Sequence, residues 1–235
     1  MSPPFSDPHI ERSLKRVRVL FGGKYIVDTT NAKLVWFKPW YPTYSFSLDD
    51  IDQKYLVKSI QSPSEQRYDI VVGDRKAEAA VTHHIEGDYK GLATIEFGAV
   101  DAWFEEDEQI FVHPKDPYKR VDVLQSSRHV RVELNGIELA NTKKPRLLFE
   151  TGLHVRTYIS KTDCRLDLLE PSTTTTQCPY KGVANYYHVN LPSGEQVKDI
   201  VWWYRTPQPE CGDIKGLVAF YDEKVDVFVD GVRQT

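Results

Sequence analysis

The residues with the clearest chemical capacity lie in one short segment of the second half of the chain, Cys178-Pro179-Tyr180-Lys181-Gly182. Pro179 fixes its own φ and Gly182 permits unusual backbone, so a shaped turn that enters a strand is predicted. Such a turn can aim Lys181 at a bound anion, or hold it partly desolvated so that its pKa falls and it acts as base or nucleophile. The alternative is a structural turn with a solvated lysine.

Cys178 is a second candidate for catalysis, as a nucleophile with His188 as its base. The alternative is a small buried thiol, the common state of a free cysteine. Zinc bound by Cys164, Cys178, Cys211 and His188 would need ligands from separate segments, whereas structural zinc sites bring their ligands in close pairs. The sequence therefore predicts no metal and no cofactor.

Arg156 and Tyr158 lie on an alternating stretch and are predicted to face the same side. The planar fork of Arg156 suits a carboxylate or phosphate of a ligand, and equally a structural salt bridge to Glu170 or Asp163. Tyr158 is a candidate for shaping a pocket or moving a proton.

Aromatic residues alternate along the later strands, so half should be core and the others could line a pocket. The predicted ligand-binding residues are Arg156, Thr176, Tyr180, Tyr186, Trp203 and Tyr204. The candidate catalytic residues are Lys181, Tyr158 and Cys178.

The composition of the chain limits which classes of partner such a site could bind. The chain has 30 basic and 34 acidic residues, a net charge of −4, which gives no general attraction to nucleic acid or anionic membrane. No stretch approaches the roughly 18 apolar residues of a membrane span, and the first eight residues lack the apolar segment of a signal peptide. Three widely spaced cysteines indicate reduced thiols. We therefore expect a cytoplasmic protein with a small-molecule ligand.

The elements that position these residues are strands that occur in two copies. Val17–Gly23 and Val130–Gly136 both read as β-hairpins with a glycine-containing turn, at an offset of 130 − 17 = 113. Two later segments extend the repeat, because 89–93 matches 180–184 and 119–123 matches 223–227.

These matches predict a lead-in at 1–15, a first domain at 16–124, a junction at 125–127 and a second domain at 128–235. One helical turn is predicted within residues 10–15. Helical periodicity is otherwise weak, so a mainly β protein with few short helices is expected.

Copy two resembles the family of domains of unknown function numbered 427, which also carries a nucleotidyltransferase-like label. The resemblance is carried by Thr176–Ala184, Val201–Tyr204 with Pro207, Ile214–Gly216 and Val225–Val227. Copy one matches at its hairpin, at 42–46 and at 49–51, and lacks the Thr-x-Cys-Pro part. The resemblance implies two small domains similar to the β-tent architecture of Mss4-like proteins, and it assigns no established activity.

Three functions are open at this point, and whether the protein is an enzyme is undecided. The first is a polar pocket in copy two, with acid–base chemistry on an anionic metabolite. The second is a non-catalytic interaction module with an exposed aromatic patch. The third is nucleotidyl transfer with metal-binding carboxylates Asp163, Asp167 and Glu170. Because only copy two has the full motif, any site is expected there.

Overall fold

A computed structural model describes residues 8–234, and the chain divides into two compact units at residues 116/117. Strands account for 54% of the structure, and the helical segments within residues 8–234 are short 3-10 turns. These features confirm the predicted mainly β, two-unit organisation, whereas the likeness to a β-tent stays a prediction. Within the same residues no helix is both long enough and apolar enough to cross a membrane.

The first unit contains two antiparallel sheets. Its strands are β1 Ile10–Arg12, β2 Val17–Phe21, β3 Lys24–Thr29, β4 Lys33–Val35, β5 Thr43–Ser47, β6 Leu56–Gln61, β7 Glu65–Val72, β8 Arg75–His84, β9 Leu92–Ile95, β10 Ala102–Glu105 and β11 Glu108–Ile110. Its 3-10 turns are Leu48–Asp50, Gln53–Tyr55 and Phe97–Ala99. The large sheet has the order β1-β4-β5-β9-β8-β7-β6, and the small sheet has the order β11-β10-β2-β3.

The second unit repeats this arrangement. Its strands are β12 Val121–Gln125, β13 Val130–Leu134, β14 Ile137–Thr142, β15 Arg146–Glu150, β16 Arg156–Tyr158, β17 Leu169–Cys178, β18 Gly182–Asn190, β19 Gln196–Tyr204, β20 Val218–Phe220, β21 Asp226–Val229 and β22 Val232–Arg233. Its 3-10 turns are Lys161–Asp163, Leu166–Leu168 and Pro209–Ile214. The sheet orders are β14-β13-β21-β22, β12-β15-β16 and β17-β18-β19-β20. A bridge between Ile159 and Val218 links β16 to β20.

Strand order and register establish the duplication. With that bridge, the order β12-β15-β16-β20-β19-β18-β17 reproduces the large sheet of the first unit strand for strand. The pair Ile10 and Val35 recurs as Val123 and Leu148, so the offset of 113 already holds at β1. The predicted tandem repeat is therefore confirmed, and it begins earlier than the sequence indicated.

One of the two later sequence matches is placed differently by the hydrogen bonds. The amide of Gly91 donates to the carbonyl of His84 just before β9, at 2.8 Å, and Gly216 makes the same bond to Tyr204 before β20, at 2.9 Å. The turn at Gly91 therefore corresponds to the turn at Gly216. Its predicted match with the Lys181 turn is wrong, because a likeness of five residues recurs in turns that are not equivalent.

The other later match is also wrong. The strand that corresponds to β21 is β10, since Trp103 pairs with Val19 as Val227 pairs with Val132. The segment 119–123 leads instead into β12, which pairs with β15 of the second unit. For this reason the units divide at 116/117, ahead of the predicted junction at 125–127.

The predicted helical turn within residues 10–15 is wrong, because Ile10–Arg12 pairs with β4 as an edge strand. An extended edge strand here has the same place in the sheet as β12 in the second unit. Residues 1–7 of the predicted lead-in lie outside the described residues.

Large aromatic side chains occupy opposite places in the two units. Between its two sheets the first unit buries Trp36, Tyr44 and Trp103, whose register equivalents in the second unit are Phe149, Thr157 and Val227. On the other face of the large sheet, the second unit buries Tyr158, Tyr186 and Trp202, whose equivalents in the first unit are Ser45, Arg67 and Thr82. Each unit is thus filled with aromatic rings where the other carries smaller or polar residues.

Candidate functional site

The turn at Cys178–Gly182 joins β17 to β18, and its backbone has the predicted special shape. Gly182 has φ +97°, and a Cβ at this position would lie 3.1 Å from the carbonyl oxygen of Thr206. The carbonyl of Lys181 accepts a hydrogen bond from the amide of Gln208 at 3.1 Å. Close approach of a second backbone segment therefore requires glycine here.

Lys181 forms an ion pair with Glu150 at the end of β15. The Lys181 side chain is only 12% exposed and that of Glu150 only 6%. The ammonium group is consequently neither the solvated lysine nor the unpaired anion site that the sequence offered as alternatives. A buried pair of this kind holds the turn against β15, and its carboxylate competes with any ligand anion.

Most of the aromatic candidates form a small second core in this unit. Tyr158, Tyr186 and Tyr204 belong to this core, and Tyr180 is buried in the turn before β18. The indole N–H of Trp202 donates to the hydroxyl of Tyr158 at 3.2 Å, and Thr176 shares a 2.7 Å hydrogen bond with the hydroxyl of Tyr186. Burial raises the pKa of Tyr158 and of Tyr204. Both phenols therefore keep their protons at neutral pH, and their rings pack the second core.

The thiols do not form a cysteine–histidine pair. Cys178 pairs with Gly182 across the hairpin, six residues along β18 from His188, a separation of roughly 20 Å at strand geometry. His188 instead accepts a hydrogen bond from the amide of Asp199 at 3.1 Å. Burial raises the pKa of Cys211 to about 11 and that of Cys164 to about 12, so both thiols are protonated at neutral pH.

Trp203 lies on the sheet face opposite Trp202. The ammonium group of Lys161 lies 3.5 Å from the centroid of the Trp203 ring, and Tyr187 stacks on the same ring at 6.0 Å. Trp203 is therefore separated from Tyr186 and Tyr204, with which the sequence grouped it.

Arg156 lies at an open cleft of the second unit. The guanidinium donates to Asp222 at 3.1 Å and to Glu223 at 2.7 Å, so the predicted salt bridge to Glu170 or Asp163 is wrong. As predicted, Arg156 and Tyr158 face the same side, because both contact Trp202. The cleft has a volume of about 580 Å³. Its walls include the apolar residues Val130, Leu147, Phe149, Val155, Val227 and Val229.

The two carboxylates that share Arg156 titrate differently. Burial raises the pKa of Asp222, whereas the hydrogen bond from Arg156 lowers the pKa of Glu223. His154 also lines the cleft and favours the ionised form of both. When both are ionised and His154 is neutral, Asp222 and Glu223 carry two negative charges against the one guanidinium of Arg156, so this end of the cleft has an excess of negative charge.

The opposite shifts predict opposite pH dependences of stability. The folded protein holds the Asp222 proton above the ordinary pKa of 3.8, so the contribution of this residue to stability falls as pH rises through its raised pKa. Glu223 contributes stability above its ordinary pKa of 4.5, and that contribution is lost as pH falls through its lowered pKa. We expect Asp222→Asn to remove the first dependence and Glu223→Gln the second, measured as urea midpoints between about pH 3 and 7. Identical pH profiles for the two variants would contradict this assignment.

Asp222 and Glu223 were not singled out from the sequence. They follow β20 after Tyr221, and their partner Arg156 lies 66 and 67 residues earlier in the chain. Adjacent acids after a short apolar strand are the only sequence signal, and they are equally typical of a solvated turn. The bridge between Ile159 and Val218 brings the two segments together, and only the fold shows it.

The three carboxylates considered for a metal site each bond to another side chain of the protein. Asp163 accepts from Thr142 at 2.6 Å, and Asp167 pairs with Arg165 at 2.6 Å. Glu170 accepts from the side-chain amide of Asn190 at 2.8 Å. In the part of the chain that the structure describes, no three His, Cys, Asp or Glu side chains are grouped to hold a metal ion.

Comparison with protein families gives one match. A family model described as a domain of unknown function (DUF427) matches residues 9–96 and again residues 122–231. The matched segments fall one in each compact unit, and they begin at β1 and at β12. No curated protein matches the chain.

Proposed function

The chain belongs to the DUF427 family, and since that description assigns no activity, we propose from the geometry that the second unit binds a small molecule in its cleft. The ligand has an apolar body and a cationic or hydrogen-bond-donating head. Like the pocket expected from the sequence, this site lies in the second unit and includes Arg156. It differs in the ligand charge that it selects, because the sequence suggested an anionic ligand and the cleft favours a cationic one.

The observation that carries the proposal is the unequal charge at one end of the cleft. Arg156 is held by two carboxylates, and burial of Asp222 makes its ionised form unfavourable without a further cation. A ligand ammonium group, or a strong neutral donor, would supply the missing partner. An anionic head would meet the two carboxylates and an arginine whose terminal nitrogens already donate to them.

The remaining walls favour an apolar body. Phe149 is 39% exposed and Val155 42%, although both are large hydrophobic residues beside buried valines. Exposed apolar side chains that line a concave surface with a few polar groups are typical of small-molecule sites. Covering them would stabilise a complex by about 25 cal/mol per Å² of apolar surface removed from water.

The other functions expected from the sequence have less support. Tyr186 and Tyr204, which an interaction module would use as anchors, are buried in the second core. The three carboxylates suggested for nucleotidyl transfer each bond to a different residue, Thr142, Arg165 or Asn190. A cytoplasmic location and a β-tent likeness accompany the proposal as predictions.

The test uses three molecules of one size and different heads: phenethylamine, phenylpropionate and phenylethanol. We expect the amine to raise the melting temperature of the full chain most and the acid least, because a ligand that binds only the folded state stabilises it by mass action. Glu223→Gln should weaken amine binding by about tenfold or more, since a charge-assisted hydrogen bond is worth about 1.5–3 kcal/mol.

A second variant closes the cleft with a residue that the fold already accepts elsewhere. Val227→Trp introduces the side chain that the first unit carries at the equivalent Trp103. We expect Val227→Trp to keep the native circular dichroism spectrum and to abolish amine binding. Arg165→Gln, which removes an exposed charge away from the cleft lining, is the control. The proposal fails if the acid binds as well as the amine, or if Val227→Trp binds like the wild type.

A further inference from the structure

The first unit has an open cleft at the place where the second unit has its small aromatic core. Four cross-strand neighbours lie in one row on the large sheet, because Arg67 pairs with Thr82, Thr82 with Thr94, and Thr94 with Ser45. Direct cross-strand partners point to the same face of a sheet. This row is therefore a continuous polar strip across β7, β8, β9 and β5.

The same row in the second unit is aromatic and closed. Its members are Tyr186, Trp202, Ala219 and Tyr158, all of them buried. The first unit has only an arginine and hydroxyl side chains here, and a cleft of about 580 Å³ remains above them. Arg67, Thr82 and Thr94 line this cleft, together with Thr43 and Glu96. Divergence of the two copies has thus left a polar cavity in the unit that lacks the sequence motif.

Two segments outside the sheet form the opposite wall. Tyr41 stacks on His113, with ring centroids 4.1 Å apart and planes 11° from parallel. Val112 beside it has φ +69°, a left-handed conformation that is strained for a β-branched residue. Strained backbone of this kind is concentrated at ligand sites, and here it places residues 112–114 over the polar strip.

The arginine of this cleft has fewer hydrogen bonds and ion pairs within the protein than the arginine of the second unit's cleft. Among the described residues, the side chain of Arg67 forms only a long ion pair, 3.6 Å from Glu65, and it is 46% exposed. Arg156, in contrast, donates to two carboxylates. The hydroxyl of Ser45 is fully buried and has no hydrogen-bond partner among residues 8–234. A buried hydroxyl without a partner is rare in a native protein, and this one lies in the same cross-strand row as Arg67, Thr82 and Thr94, next to the residues that line the cleft.

We propose that this cleft is a second binding site, for a small acid that also carries hydroxyl or amino groups. Arg67 binds the carboxylate or phosphate through its planar fork. Thr82 and Thr94 hydrogen-bond to the ligand hydroxyls, and Glu96 accepts from a hydroxyl or amino group. The stacked Tyr41–His113 pair covers the ligand. The charge selected is the opposite of that proposed for the second unit.

The experiment is a thermal-shift and calorimetric screen of the full chain with three groups of probes: sugar acids, amino acids and sugar phosphates. The first two groups present a carboxylate and the third a phosphate, so the class that binds identifies the anionic group. Thr82→Trp fills the cleft with the residue that the second unit carries at the equivalent position, Trp202. Arg67→Gln removes the charge and keeps most of the volume. Val227→Trp and Arg165→Gln leave the first unit unchanged and are the controls.

We expect at least one probe to bind the wild type, no binding to Thr82→Trp, and binding weakened by about 10–100-fold in Arg67→Gln, the value of a lost charge-assisted hydrogen bond. Both controls should bind like the wild type. The proposal is overturned if no probe binds the wild type, or if Arg67→Gln binds the identified probe undiminished. Loss of binding in Val227→Trp alone would also overturn it. That last result would place the acid in the second unit and so would also count against the amine site.

Discussion

Replacing Lys181 with methionine is expected to lower the free energy of unfolding of the second unit by about 3–5 kcal/mol, because the change leaves a buried carboxylate without its partner. Glu150 is 6% exposed, so water cannot replace the lost ammonium group without opening the turn against β15. The effect should be measured by urea denaturation, with the slope compared to that of the wild type.

The double variant Lys181→Met with Glu150→Leu tests the cause. Removing both charges together should restore most of the stability, since apolar pairs of similar volume often replace buried ion pairs with little loss. Lys54→Met is the matched control for an exposed pair: its side chain is 63% exposed beside Asp52, and the expected loss is about 1 kcal/mol or less. If Lys181→Met were as stable as the wild type, a ligand-binding role for Lys181 would regain support.

The local elements of this fold were predictable because their signals are local. Hairpin turns at Gly22-Gly23 and Asn135-Gly136 carry the positive φ that tight turns need, and a constant offset follows from them. After Leu56 and its counterpart Leu169, the hairpins differ in length and the offset changes. Short sequence matches beyond that point are ambiguous. The hydrogen bonds of the structure were needed to show that Gly216 of the second unit is equivalent to Gly91 of the first.

The candidate site was less predictable for a different physical reason. Alternation along β19 shows that Trp202 and Trp203 face opposite sides, but either face of a sheet can be the core. Which face is filled depends on residues from distant strands, such as Tyr158 of β16 beneath Trp202. From the sequence alone it was therefore undecided which of the aromatic residues pack a core and which could line a pocket.

The exchange of aromatic residues between the units gives a second large prediction. Trp103→Val and Trp202→Thr each install the residue of the other unit, and each should destabilise its own unit by about 3–5 kcal/mol. Trp103 is 2% exposed, stacks on Phe97 at 5.0 Å and donates to the carbonyl of Phe97 at 3.1 Å. Trp202 supports Tyr158 through its indole N–H and packs on Tyr221 at 4.6 Å.

The reverse substitutions measure how stability changes when an indole is added to a cleft, for comparison with the loss when an indole is removed from a core. Val227→Trp and Thr82→Trp place the same indole into open volume of about 580 Å³ in each unit, so each should change stability less than the corresponding deletion. Overpacking at a closed site would instead cost about 1–3 kcal/mol. Urea denaturation of the four single variants measures both directions. Equal losses in all four would mean that neither cleft accommodates an aromatic ring, and both binding proposals would lose the complementarity on which they rest.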